Sequence, residues 1–193
     1  DNDTVSFDIE KTKLFVEALN KNIPVIVFGF TYMLYAQVVK PLLKRGIKFE
    51  LPEGSKIIHI GGWKKLENEK ISKDEFNKSM SKLFFVKEEH VIDIYGFTEQ
   101  MGLNYPDCEC GYKHTPLYSE LIVRNPVTRE VVKDGEVGVL EFISPVPHSY
   151  PGNVVLTDDM GVVNPDPCPF NRNGTRFKIL GRLKKAEIRG CGD

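Results

Sequence analysis

The chain lacks any long apolar run. Nothing in its 193 residues approaches the roughly 20 consecutive apolar residues that a bilayer-spanning helix needs. It also lacks an excess of charge, with 26 Lys and Arg against 27 Asp and Glu for a net charge of −1. That balance removes the electrostatic argument for a nucleic-acid partner or an anionic membrane surface. With only four cysteines the chain does not read as a disulfide framework. They read as thiols or metal ligands, and a reducing cytoplasm is the expected location. No internal repeat, low-complexity tract or signal peptide is visible. The chain opens Asp1-Asn2-Asp3 without Met and stops at Gly190-Cys191-Gly192-Asp193, which reads as a piece of a longer protein. What is present is the 41% hydrophobic content of a globular protein, at a length that suits one large domain or two small ones.

Taken in order, residues 8–21 predict an amphipathic helix with Leu14, Phe15, Ala18 and Leu19 on one face. Val25 to Phe28 predicts a short buried strand. A second helix is expected from Thr31 to Lys44, with Pro41 kinking or restarting it and Gly46 ending it. Lys56 to Ile60 is the next strand, closed by Gly61-Gly62-Trp63. Ser72-Lys73-Asp74-Glu75 has the form of a capping box and predicts a helix with Phe76, Met80 and Leu83 inward. Val91 to Ile94 is a further buried strand. Strand alternating with helix predicts a parallel-sheet α/β subdomain over residues 1–104. Beyond Asn104 the pattern turns β-rich. Tyr118 to Arg124 alternates, Glu130–Lys133 and Val137–Ser144 flank the hairpin signal Asp134-Gly135, and shorter strands follow at Val154–Leu156, Arg176–Leu180 and Glu187–Arg189. Residues 105–193 therefore predict a small antiparallel β-barrel or sandwich.

The chemistry concentrates where the strand at Val91–Ile94 ends, since ligands of open α/β sheets bind at the carboxyl ends of strands. Tyr95 offers a flat ring for a base, and Gly96 lets backbone approach a ligand. Thr98 offers a hydroxyl to a phosphate, and Glu99 a hard oxygen to Mg²⁺. The plainer reading is a strand end with a polar turn. Cys108-x-Cys110-x₃-His114, joined by Cys168 downstream, could supply three thiolates and an imidazole to Zn²⁺, although the spacing is not one of the strong finger patterns. His59, His90 and His148 read as packing or surface residues.

Tyr95-Gly96-Phe97-Thr98-Glu99 resembles the adenine- and magnesium-binding motif of the adenylate-forming enzymes. Three other stretches with a nucleotide-binding or hinge role match that superfamily in order, and one structural turn matches as well. Gly61-Gly62-Trp63 resembles the turn placed against adenine. Thr157-Asp158-Asp159 resembles the Thr-Gly-Asp segment whose carboxylate accepts the ribose hydroxyls; Asp159 is the aligned residue, and Asp158 stands where the family usually has Gly. Gly181-Arg182 resembles the hinge whose Arg contacts ribose or phosphate, with Lys185 at the pivot. Gly135-Glu136-Val137-Gly138 resembles a structural turn between barrel strands.

Cys191 just after the hinge is similar to the acyl-carrying cysteine of the LuxE-type acyl-protein synthetases, and Lys184, Lys185 and Arg189 would favour its thiolate. The resemblance implies ATP and Mg²⁺ as cofactors, a long-chain fatty acid or other carboxylic acid as substrate, and an acyl-protein reductase as partner. It further implies a structural Zn²⁺ in some phenylacetate-ligase-like relatives, where a second cysteine stands at the position of Phe170. The family's Ser/Thr/Gly-rich phosphate loop has no counterpart in residues 1–193, so this stretch is expected to be inactive by itself. An acyl-CoA ligase of the phenylacetate type and a non-catalytic binding module are the alternatives.

Overall fold

The computed structural model describes residues 6–63 and 68–183. They fall into two compact units, Asp1–Asp93 and Ile94–Asp193.

In the first unit, helix α1 (Ile9–Ala18) starts where the Asp8 carboxylate accepts the Lys11 N–H at 3.0 Å. Its inward face is not the expected one. Ile9 and Val16 are buried, while Leu14 and Phe15 are 67% and 62% exposed. The two buried residues lie two helical turns apart and carry the partly buried Leu19 with them, so the core selects this stripe over its apolar neighbour. Strand β1 (Ile26–Phe30) pairs in parallel with β2 (Lys56–Ile60), Phe28 opposite Ile58. The expected burial of β1 fails on one face. Val27 packs on the core, whereas Ile26 and Phe28 point the other way and are exposed, because successive strand residues alternate faces.

The predicted second helix is a composite. Thr31–Met33 is α-helical (α2), Leu34–Val39 is π-helical, and Lys40–Arg45 (α3) is α-helical again. Lys40 N–H bonds Tyr35 C=O, five residues back. Pro41, with no N–H of its own, follows at once, and the wider register accommodates it. Gly46 closes α3 in the left-handed region at φ 64°. Helix α4 (Lys73–Phe84) matches expectation: the Ser72 hydroxyl caps the Glu75 N–H at 3.1 Å, and Phe76, Met80 and Leu83 are each at most 1% exposed. Strand β3 (Val91–Tyr95) follows β2 in the sheet order.

In the second unit, the end of β3 pairs antiparallel with β4 (Tyr105–Pro106), Tyr95 opposite Tyr105. A five-stranded antiparallel sheet runs in the order β5 (Lys113–His114), β9 (Arg176–Arg182), β8 (Val154–Asn164), β7 (Gly138–Ile143), β6 (Glu120–Arg124). Its core holds Tyr105, Leu140, Phe142 and Phe177. Closure into a barrel is not found among the described residues, where β5 and β6 stand at the two ends of the sheet. The hairpin expected through Asp134-Gly135 is also replaced: β7 pairs with β6, and of the stretch 130–133 only Val131 bridges to Arg124. A Cβ at Gly138 would collide with the Arg124 carbonyl, so only glycine permits that close pairing. Residues 187–189 lie outside the described residues.

Candidate functional site

Strands β8 and β9 place Asp159 directly opposite Arg182. One residue further the register shifts, leaving Leu180 extra on β9, with Gly181 at φ 144° absorbing the distortion. Arg182 Nε lies 3.4 Å from Asp159 Oδ1, and its Nη2 lies 3.9 Å from Asp158 Oδ2. Of the two carboxylates, Asp159 is the held one: its side chain is 19% exposed against 59% for Asp158. The Thr157 hydroxyl accepts the Asp159 N–H and donates to the Leu140 carbonyl, which fixes the backbone there.

Tyr95 joins the same group. Its phenol donates to Asp159 Oδ2 at 2.6 Å. Burial holds the Tyr95 phenol protonated well above the usual tyrosine range, and the Asp159 charge and hydrogen bond add to the effect. The ring, read from sequence as a platform for a base, packs among Phe97, Tyr105 and Phe142 at 5.6, 6.2 and 5.7 Å between centroids. A carboxylate has about four lone-pair sites. Asp159 therefore keeps accepting capacity after taking the Tyr95 hydrogen bond.

The motif turns through a short 3₁₀ segment, Thr98–Gln100. Thr98 and Glu99 are exposed, and the Thr98 hydroxyl donates to Glu99 Oε2 at 3.2 Å. Gln100, which sequence reasoning passed over, anchors the turn. It is fully buried, donates to the Gly152 carbonyl at 3.1 Å and accepts from the Tyr105 hydroxyl at 3.0 Å. Tyr150 assists by accepting the Met101 N–H at 2.6 Å. The signal available in the sequence was an uncharged amide beside two exposed motif residues. Its burial depends on the loop carrying Gly152, fifty-two residues away. At Gly96 a Cβ would lie 2.9 Å from Asn104 Oδ1, so glycine is favoured by a close approach within the chain itself.

Cys108, Cys110, His114 and Cys168 converge. One ligand atom from each lies within 4.8 Å of the others, so the cluster could hold a metal ion. Cys108 Sγ is 3.8 Å from Cys168 Sγ, and Cys110 Sγ is 3.7 Å from His114 Nε2. Cys108 Sγ also lies 3.5 Å from Glu109 Oε2. Burial pushes the Cys108 thiol up to about 12. Burial also acts upward on Cys168, but hydrogen bonds from the backbone of Arg172 and Phe170 and from the neighbouring thiols outweigh it and leave that thiol below its ordinary value. Burial lowers the His114 imidazole, with Arg172 and Arg176 adding to the shift.

The first unit carries Gly61, Gly62 and Trp63. Gly61 is left-handed at φ 84°, and a Cβ on Gly62 would meet none of the described residues. Trp63 is buried against Tyr35, ring centroids 5.0 Å apart. His59 is a packing residue, as expected: it is 3% exposed, with Nδ1 2.9 Å from the Thr31 hydroxyl and its ring on Phe76. Cys191, Lys184, Lys185 and Arg189 lie outside the described residues.

Among the described residues no helix is long and apolar enough to cross a membrane. The chain resembles solved structures of adenylate-forming enzymes in fold. It aligns with 2-hydroxyisobutyryl-CoA ligase, in complex with 2-HIB-AMP and CoA, at TM-score 0.67 and 15% identity, covering 93% of this chain and 38% of that one. The luciferase-like enzyme of Zophobas morio gives TM-score 0.58 at 19% identity, over 94% and 42%. Two curated relatives are named long-chain-fatty-acid–luciferin-component ligase. That of Aliivibrio fischeri is 30% identical over 99% of this chain and 50% of its own length. That of Vibrio harveyi is 29% identical over 70% and 35%. The chain thus spans about half the length, or less, of the curated relatives it matches. The family model described as "Acyl-protein synthetase, LuxE" matches residues 1–193, and the chain belongs to that family.

Proposed function

We propose that the protein containing this chain activates a long-chain fatty acid with ATP and passes the acyl group to a cysteine thiol, Cys191, for reduction to the aldehyde by a partner acyl-protein reductase. The observation that carries the reading is the convergence of Tyr95 and Arg182 on the Asp159 carboxylate, which keeps lone pairs to spare. A carboxylate oriented by a phenol on one oxygen and a guanidinium at the other suits two vicinal ribose hydroxyls, which are paired donors. Arg182 sits beside it with a cation for ribose or phosphate.

In this reading the substrate carboxylate attacks the α-phosphorus of ATP. The bond to the bridging oxygen breaks, pyrophosphate leaves, and acyl-AMP forms. The Cys191 thiolate then attacks the acyl carbon, AMP leaves, and a thioester remains. Thr98 offers its hydroxyl to the phosphates, and Glu99, exposed on its turn, is the residue that would hold Mg²⁺. Mg²⁺ supplies neutralisation of charge developing on the phosphate oxygens. Gly61, Gly62 and Trp63 form the adenine turn, and Gly96 allows close backbone approach. The Cys108, Cys110, His114 and Cys168 cluster is read as a Zn²⁺ site, since three thiolates and one imidazole are a common tetrahedral donor set.

The test is intact mass of the full-length protein incubated with ATP, Mg²⁺ and tetradecanoic acid without CoA. The expected result is an acyl adduct that hydroxylamine removes and that Cys191→Ser abolishes. No adduct, with AMP released only once CoA is added, would replace this reading with a CoA ligase. No ATP binding at all would leave a non-catalytic module.

A further inference from the structure

We infer that Gln100 and the β7–β8 connection, residues 144–153, form a brace that sets the position of Glu99, so that Gln100 is a positioning residue for acyl-AMP formation; the inference rests on reading Glu99 as the residue that would hold Mg²⁺. Glu99 stands exposed on the single 3₁₀ turn Thr98–Gln100. The backbone bond that closes this turn, from Gln100 N–H to the Phe97 carbonyl, is long at 3.3 Å. One such bond is a poor return for the dihedrals it fixes, so the turn takes its shape from groups outside it.

Gln100 reaches those groups with both ends of its amide. Nε2 donates to the Gly152 carbonyl, and Oε1 accepts from the Tyr105 hydroxyl. The partners fix which end is which, because a carbonyl can only accept. Tyr105 is itself fully buried, its ring 4.9 Å from Phe142 and 5.6 Å from Phe177 between centroids. One end of the amide is therefore tied to the core and the other to the connection. With Gln100 fully buried, its removal would leave the Gly152 carbonyl and the Tyr105 hydroxyl without these partners.

The connection is shaped to receive the turn. Pro145, Pro147 and Pro151 restrict its backbone. Its two ends are tied together: Ser144 N–H bonds the Asn153 carbonyl at 2.8 Å, and the Asn153 amide donates to the Ser144 and Pro147 carbonyls at 3.2 and 3.1 Å. Gly152 brings its backbone up against the motif. A Cβ there would lie 2.5 Å from the Glu99 carbonyl oxygen and 2.6 Å from the Tyr150 ring, so glycine is required. Tyr150 accepts the Met101 N–H. Glu99, Gln100 and Met101 are thus each met by the connection. It then runs into β8, the strand that carries Asp159, so one continuous segment supports both carboxylates. Residues that orient a metal-holding side chain typically matter by about 10- to 100-fold in metal affinity or activity.

The experiment uses the full-length protein and two variants that act from opposite sides of the contact. Gln100→Leu removes the amide and keeps similar bulk, and Gly152→Ala presses a methyl group on the Glu99 carbonyl. With ATP in excess, the Mg²⁺ concentration that half-saturates pyrophosphate release is expected to rise about 10- to 100-fold in both. ATP affinity without Mg²⁺, measured by calorimetry, is expected to stay within about twofold, since Asp159 is untouched. In the protein free of nucleotide and metal, hydrogen exchange of residues 97–102 is expected to speed by about tenfold or more, with the α4 amides unchanged. Gly152→Ala carries the test should Gln100→Leu fail to fold. Faster exchange with an unchanged Mg²⁺ requirement would make the brace merely structural and overturn the inference, as would a comparable loss of Mg²⁺-free ATP binding. Glu99→Gln separates this failure from that of the reading beneath it. If Glu99→Gln leaves the Mg²⁺ requirement unchanged, or the unmutated protein releases no pyrophosphate, the role of Glu99 falls and the positioning with it. If Glu99→Gln raises the requirement and the other two variants do not, the positioning alone falls.

Discussion

Asp158 and Asp159 are adjacent, chemically identical and differently placed. Alternation along β8 sends one side chain toward Tyr95 and leaves the other at the surface, where Arg182 Nη2 reaches it only at 3.9 Å. A charged hydrogen bond contributes about 1.5–3 kcal/mol, so Asp159→Asn is expected to weaken ATP binding to the full-length protein by about 10- to 100-fold. Asp158→Asn should change it by less than about threefold. Titration calorimetry of the two variants checks this, and equal losses would remove Asp159 from its proposed role. The sequence offered the two carboxylates as a pair with Asp159 the aligned one. It had no means of showing that a tyrosine sixty-four residues away orients it. Gln100 is the converse case: its Tyr105 partner is five residues on, but the Gly152 carbonyl that takes its amide N–H lies fifty-two residues away, and a linear reading does not bring that loop to it.

Elements with local causes were legible. Helix α4 has its cap, its acidic first turn and its apolar stripe within one continuous stretch. Ser72→Ala is expected to cost about 1 kcal/mol through loss of the Ser72–Glu75 cap, read as a lower urea midpoint with unchanged slope. The composite second helix was half legible: Pro41 predicted an interruption, but the π-helical turns before it were not foreseeable from residue identity. Elements whose partners are distant were misread. Residues 130–133 have strand-like composition, yet β7 takes β6 as its neighbour, since pairing is decided by which edges meet and which glycine allows approach. On α1, two overlapping apolar stripes compete, and only packing selects Ile9 and Val16 over Leu14 and Phe15.

For the whole molecule, the curated relatives are about twice as long as the chain. Residues 1–193 alone are expected to release no pyrophosphate from ATP with Mg²⁺ and fatty acid, while the full-length protein does so. A coupled pyrophosphate assay compares them, and turnover by residues 1–193 alone would overturn the expectation that this stretch is inactive by itself. The sequence by itself determined the family, the alternation of helices and strands in the first unit, and the residue types available for nucleotide and metal, because motifs, caps and periodicities are local and survive in a linear reading. Only the tertiary structure decided which faces are buried, which carboxylate is held, and that Cys168 meets Cys108, Cys110 and His114 across a loop sixty residues on. Those outcomes depend on contacts between segments far apart in sequence, whose closure the fold supplies and spacing alone does not encode.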